Sequence, residues 1–210
     1  FIEVFKRARF ASPILVSEQV VPDPNFPTTP FPNPEESGSM DMALEYAKKN
    51  KADVVIANDP DADRCAIAVV NPQGLWQVLR GDEIGVLLGD YLIKKSTASN
   101  TAIANSLVSS SLLGKIANKH GLKFEETLTG FKWISKIDNL LFGYEEALGY
   151  CVDQKNVNDK DGISAALILV QIVNELKTSG QSIFDYLEKL GGEYGFHRTD
   201  QISIRVTNLN

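Results

Sequence analysis

Asp59, Asp61 and Asp63 alternate within five residues, directly after the apolar run Val54–Ala57 and directly before Cys65–Val70. Alternation along an extended loop can turn the three carboxylates inward together, where their repulsion opposes close approach unless a cation neutralises it. Hard oxygen ligands suit Mg²⁺. A solvated acidic turn would need neither the regular spacing nor two flanking buried strands. An EF-hand loop also begins D-x-D-x-D, but its sixth position wants Gly and its twelfth Glu, where this chain has Arg64 and Val70. A D-x-D aspartyl phosphatase stays as an enzymatic alternative.

Further along, Glu145 and Glu146 fall in a Gly-flanked loop after the strand-like run 140–144. Carboxylates accept paired hydrogen bonds from vicinal hydroxyls, so a loop glutamate is a natural sugar reader. Lys132 follows Thr129, Gly130 and Phe131 at a strand-to-helix turn, where a lysine can meet a phosphate or move a proton. His120, before Gly121 at a helix end, and His197, beyond the last helix, read as structural.

These residues must be positioned by an alternating α/β chain. Ile2, Val4, Phe5 and Ala8 have helical spacing and lead into a short β-type segment at 14–16. Pro22, Pro24, Pro27, Pro30, Pro32 and Pro34 deny helix and ladder bonds to 21–34, an extended loop for which Phe26 and Phe31 offer apolar anchors. A helix over 39–50 and a buried strand over 52–57 precede the acidic loop 58–64. Strands 66–70 and 75–79 form a hairpin around Asn71–Gly74. Asp82 caps a helix over 83–94. Then come strand 101–105, helix 110–120, strand 123–127, helix 131–138 and strand 140–144, a βαβαβ order. Helix 162–178 and a Ser182-capped helix to Leu190 follow, and 201–206 alternates like a strand. The pattern predicts two consecutive three-layer α/β domains with mixed sheets, at 1–79 and 80–197, and a stretch 198–210 leading onward.

Composition excludes other classes. Hydrophobic residues make up 43% and charged residues 23% of 210, the balance of a folded globular chain, and a net charge of −6 without a basic run argues against nucleic acid. The apolar run around Ala165–Val173 is broken by Gln171 and falls far short of the ~20 residues of a membrane span. Cys65 and Cys151 are the only cysteines, read as free buried thiols of a reducing cytoplasm. The opening at Phe1, without Met, reads as internal to a longer protein.

Four segments, in order, carry a resemblance. N-D-P-D-A-D-R at 58–64, T-L-T-G-F-K-W at 127–133, F-G-Y-E-E-A-L-G-Y at 142–150 and P-D-P-N-F-P-T-T-P-F-P-N-P-E at 22–35 are similar to motifs of the α-D-phosphohexomutases, the phosphoglucomutase and phosphomannomutase family. The family has four domains, and the resemblance covers most of the second and all of the third. It implies reversible phosphoryl transfer between the 1- and 6-positions of an aldohexose phosphate, through a phosphoserine of the first domain and a hexose 1,6-bisphosphate intermediate. It further implies that Asp59, Asp61 and Asp63 hold Mg²⁺ and that Arg64 steadies the transferring phosphoryl group. Glu145 would read the sugar, with Glu146, Ala147 and Gly130 beside it and Lys132 a candidate for proton transfer. Ala147 stands where the family often has Ser, and Phe131 where many relatives have His. Ser99 in S-T-A-S-N is a decoy of the family's T-A-S-H-N-P, since Asn100 and Thr101 follow it. A chain with these parts but no phosphoserine segment would be inactive alone; a self-contained metal- and sugar-phosphate-binding module is the non-enzymatic alternative.

Overall fold

The computed structural model describes residues 1–29 and 31–200. The chain begins with α1 (Ile2–Arg7), passes a 3₁₀ turn at Ser17–Gln19 and the Pro-rich loop, and enters α2 (Asp41–Asn50). The first sheet is β1 (Val55–Ala57), β2 (Ala66–Val70) and β3 (Trp76–Val78), antiparallel throughout and in chain order. After α3 (Gly81–Lys95) come β4 (Ala102–Ser106), α4 (Leu112–Lys119), β5 (Lys123–Thr127), α5 (Phe131–Ile134), β6 (Leu140–Glu145) and β7 (Gly149–Cys151). This second sheet has the order β5-β4-β6-β7, three parallel strands with β7 antiparallel at one edge. Helices α6 (Gly162–Thr178) and α7 (Ile183–Tyr194) close the described chain.

One apolar cluster runs through both sheets and includes Ile67 and Ala68 of β2, Phe142 and Tyr144 of β6, and Leu169 and Ile172 of α6. Helix α3 carries Gly81, Gly85 and Gly89 at four-residue intervals, so they line one face. A methyl group at Gly85 would lie 2.7 Å from Cζ of Tyr144, and one at Gly89 3.2 Å from the Phe142 ring. The bare stripe lets β6 approach the helix backbone, and β6 carries the glutamate hairpin.

Several boundaries differ from the pattern, each for a local reason. Residues 14–16 form no strand, because no described strand pairs with them, and Ile14 is 56% exposed. Phe26 and Phe31 are 39% and 58% exposed and lie outside the apolar core; the described part of the loop is tied by its own turns and by buried Pro34. Strand β1 starts late because Lys51, at φ +53°, ends α2 and the Ala52 amide still bonds the Ala47 carbonyl. Leu75 is spent on the turn, where the Asn71 side chain accepts the Gln73 and Leu75 amides at 3.1 and 3.0 Å. Helix α5 is a single turn because Gln154 takes over the backbone beyond it, donating to the Ile137 carbonyl and accepting from the Leu140 amide at 2.8 and 2.9 Å.

Asp82 is not the cap of α3. The helix starts two residues earlier than expected, at Gly81, with Arg80 at the cap position and the Glu83 carboxylate accepting its amide at 2.8 Å; Asp82 turns into the core. The Ser182–Asp185 capping box forms as read, the helix continuing to Tyr194. Strand-like 201–206 and Pro30 lie outside the described residues. Both cysteines are free and buried, and burial pushes the Cys151 thiol up to about 11. Among the described residues no helix is long and apolar enough to cross a membrane.

Candidate active site

The pairing of Ala57 with Ala66 fixes the ends of the acidic loop. Within it the Asp59 carbonyl accepts the Ala62 amide at 3.0 Å, and Ala62 takes φ +57°, a left-handed turn that a non-glycine residue adopts at a cost of roughly 1 kcal/mol or more. This turn brings one carboxylate oxygen of Asp59, of Asp61 and of Asp63 within 4.8 Å of one another. Arg64 closes the loop from behind: its amide bonds Asp59 Oδ1 and its Nε lies near Asp59 Oδ2, both at 3.1 Å. Asn58 Nδ2 donates to the Arg64 carbonyl at 2.7 Å. Burial, most of all, raises the Asp59 pKa, with the charges of Asp63 and Asp61 adding to it against the Arg64 amide and guanidinium.

A divalent cation fits this donor set. Three hard oxygens already converge, whereas oxygens on one Mg²⁺ stand about 3–4 Å apart, so only a small closure of the loop is needed. Asp61 is exposed and has no hydrogen-bond or ion-pair partner among the described residues.

The glutamates are brought to this loop by a hairpin that the sequence pattern does not show. Strand β7 folds back on β6 with Glu145 opposite Gly149, and Leu148 makes the turn at φ +64°. Glu145 Oε1 accepts the Gly130 amide at 2.5 Å, tying the hairpin to the T-L-T-G turn; Gly130 has φ +106°, which requires glycine. Glu146 is held differently: its Oε2 accepts from the hydroxyls of Ser106 and Ser109 at 2.9 and 3.1 Å, and its amide donates to Ser109 Oγ at 3.1 Å. Ala147 is half-buried at the tip, and Lys132 is exposed, its Nζ 5.6 Å from the Trp133 ring.

The acidic loop and the hairpin are in contact. The Cys65 amide donates to the Leu148 carbonyl at 3.1 Å, and Arg64 and Gly149 form an antiparallel bridge. The Gly162 amide at the head of α6 bonds the Ala62 carbonyl at 3.0 Å, where a methyl group would lie 2.7 Å from the Arg64 carbonyl carbon and closer still to its oxygen. Lys160 completes the junction: its ammonium bonds Asp63 Oδ2, its stem crosses Gly149, and its Nζ lies 5.9 Å from the Phe131 ring centroid. Asp59, Asp61, Asp63 and Arg64 are thereby joined to Glu145, Gly130 and Phe131, while Glu146 is occupied by serines. Lys160, Ser106 and Ser109 escaped the sequence pattern; the only signal near Lys160 is the Asp161-Gly162 helix start behind it. Ser99 sits in an exposed turn after α3.

With this geometry in place, comparisons with known proteins decide the family. The model of phosphoglucomutase/phosphomannomutase α/β/α domain II matches residues 2–73, and that of domain III matches 80–194. The chain belongs to the phosphoglucomutase/phosphomannomutase family. It is 50% identical over 97% of its length to the probable phosphomannomutase of Haemophilus influenzae, covering 42% of that protein. It is 43% identical over 93% of its length to the phosphopentomutase of Homo sapiens, covering 34% of that protein. Its fold is that of a phosphoglucomutase/phosphomannomutase family protein from Burkholderia thailandensis, with a TM-score of 0.65 over 80% of this chain and 35% of that one at 17% identity. The chain thus spans less than half the length of these relatives, which are mutases.

Proposed function

We propose that this chain is the metal- and sugar-binding portion of a phosphohexomutase that interconverts hexose 1-phosphate and hexose 6-phosphate, with glucose or mannose as the sugar. The observation that carries this reading is the junction of the Asp59–Arg64 loop with the Glu145 hairpin, through Cys65 and Leu148, and through Arg64 and Gly149. Family membership leaves the aspartyl phosphatase alternative without support. Asp59, Asp61 and Asp63 would hold Mg²⁺, which when bound supplies Lewis-acid neutralisation of charge on a transferring phosphoryl group. Arg64, anchored on Asp59 by its Nε, has a side chain 35% exposed, leaving guanidinium donors for phosphoryl oxygens. Glu145 Oε1 holds Gly130, leaving Oε2 to accept from sugar hydroxyls. Lys132, exposed beside Gly130, is the group to meet a phosphate or move a proton. The phosphoserine and the hexose 1,6-bisphosphate intermediate belong to the same proposal, with the serine outside this chain and the missing flanking domains as its partners. A cytoplasmic setting suits the two free cysteines.

Glu145→Gln tests the sugar role, because glutamine keeps an acceptor for the Gly130 amide while the charge is lost and the second acceptor oxygen becomes an NH2 that cannot accept from a sugar hydroxyl. In a mutase extended to the length of its relatives, turnover of hexose phosphates should fall about 10- to 100-fold, the worth of one charged hydrogen bond. Phosphorylation of the serine should stay as in the parent. Unchanged kinetics with glucose 1-phosphate, mannose 1-phosphate and ribose 1-phosphate alike would remove Glu145 from the site; loss with ribose 1-phosphate alone would move the substrate to the pentoses.

The 210-residue chain alone should show no mutase activity, even with Mg²⁺ and a bisphosphorylated sugar. Glucose 6-phosphate formation from glucose 1-phosphate, followed by a coupled dehydrogenase, is the measurement. Metal-dependent turnover abolished by Ser99→Ala would overturn the expectation and make the exposed turn after α3 a nucleophile.

A further inference from the structure

Asp82 lies in the first turn of α3, is 7% exposed, and accepts three hydrogen bonds from three distant parts of the chain. Its Oδ1 takes the hydroxyl of Tyr144 and the amide of Ser110, each at 2.7 Å, and its Oδ2 takes the hydroxyl of Thr199. Each partner adjoins something functional. Tyr144 immediately precedes Glu145 on β6, and Ser110 immediately follows Ser109, which holds the carboxylate and the amide of Glu146. Thr199 lies in the stretch that follows α7, and its carbonyl is taken by Arg80 Nη1 at 2.8 Å. A cleft of about 400 Å³ opens between this point and the Pro-rich loop, with Glu35, Arg80, Asp82, Glu146 and Thr199 among its walls.

A helix starting at Gly81 needs no carboxylate turned into the core, since Glu83 already satisfies the amide of Arg80. A buried carboxylate is costly unless several donors meet it, and here the donors are the strand end and the turn that together hold the two glutamates. The Tyr144 ring packs against Gly85, and its buried hydroxyl is shared between Asp82, to which it donates, and the Asn105 side chain and Ser110 backbone beside it, so loss of Asp82 removes the acceptor that fixes its direction. Burial and then the Asp82 charge hold the Tyr144 hydroxyl well above its ordinary range, which keeps it a donor.

We propose that Asp82 is the positioning residue of the sugar-reading hairpin, locking Glu145 through Tyr144 and Glu146 through the Ser109–Ser110 turn, and coupling both to the segment that leaves α7. The inference rests on the proposed sugar role of Glu145 for its functional meaning, and its structural content is testable without a sugar.

The experiment is amide hydrogen exchange by NMR on the 210-residue chain and on Asp82→Ala, Asp82→Asn and Tyr144→Phe, with glucose 6-phosphate and Mg²⁺ titrated separately into each. In Asp82→Ala, and to a lesser degree in Tyr144→Phe, the Gly130 and Glu146 amides should exchange at least 10-fold faster. The Ala62 and Gly162 amides of the metal junction should keep their rates, and Mg²⁺ affinity should stay within twofold. Asn at position 82 keeps an acceptor for Ser110 and Tyr144, so exchange in Asp82→Asn should return to within about threefold of the parent. Glucose 6-phosphate affinity should follow the Gly130 exchange rates across the series. Unaltered Gly130 and Glu146 exchange in both Asp82→Ala and Tyr144→Phe overturns the inference, as does equal acceleration at Gly162, which would make Asp82 a general core residue. Where Asp82→Ala does not fold, Tyr144→Phe alone decides by the same two comparisons. If the parent's hairpin amides do not respond to glucose 6-phosphate, the sugar role of Glu145 fails, while the exchange data still judge the positioning role.

Discussion

Asp61→Ala should weaken Mg²⁺ binding by at least about 100-fold while leaving the fold intact. Loss of an outer-sphere partner typically costs a metal site 10- to 100-fold, and a ligand itself should sit at or beyond the upper end of that range. Asp61 is the informative member of the triad because it is exposed and bonds no other described residue. Its removal should change stability by no more than about 0.5 kcal/mol. Asp59→Ala would mix two effects, since Asp59 also holds the amide and the guanidinium of Arg64, and Asp63→Ala would leave the Lys160 ammonium without its carboxylate. Isothermal titration with Mg²⁺, and with Mn²⁺ as a paramagnetic probe, measures the affinity, and urea unfolding measures the stability. Equal affinity in parent and variant would show that the converged carboxylates are not a cation site.

Protons should compete with the metal in a defined direction. The Asp59 pKa is raised, chiefly by burial and then by its acidic neighbours, so Mg²⁺ affinity should fall as pH drops through a range above that of an ordinary aspartate. An affinity constant across the ordinary aspartate range and above it would contradict the burial-driven shift.

Gly81→Ala should be the most destabilising single methyl in the chain, by at least about 3 kcal/mol. A Cβ at Gly81 would stand 2.7 Å from the carbonyl carbon of Glu146, closer still to its oxygen, and 3.2 Å from the Leu148 amide nitrogen. All of these are backbone atoms of the hairpin tip, so no side-chain rotation relieves the overlap. Relief requires α3 and the β6–β7 turn to separate, which pulls Tyr150 from the Gly81 carbonyl, where it donates at 3.2 Å. The natural control is Gly192→Ala in α7, where a methyl group meets nothing within 4 Å and helix propensity favours Ala by roughly 0.5–1 kcal/mol. Denaturant midpoints for the two variants should move in opposite directions. A Gly81→Ala variant with the parent's midpoint would mean that the helix and hairpin are not packed backbone to backbone.

What could be read without coordinates was whatever depends on neighbours in sequence. The Asp59-x-Asp61-x-Asp63 spacing, the Asn71–Gly74 turn, the Ser182–Asp185 cap and the bounds of α6 are set by atoms a few bonds apart, and each appears where the residues say it should. Local rules also misassigned Asp82, which has a capping residue's chemistry but lies inside the first turn of α3. Its three donors come from residues 28, 62 and 117 positions away, and no local pattern encodes them. The same holds for β7, three residues long and too short to announce itself, and formed because Gly149 can lie against Lys160 and pair with Arg64. Lys160 joins the acidic loop only through a bond spanning 97 residues. The residue types in the sequence singled out the three aspartates as a cation site and Glu145 and Glu146 as candidate sugar readers, the roles proposed above. Tertiary structure decided that Glu145 faces Gly130 while Glu146 is consumed by serines, because a side chain's partner is chosen by which strand ends and helix starts the close glycine contacts bring together.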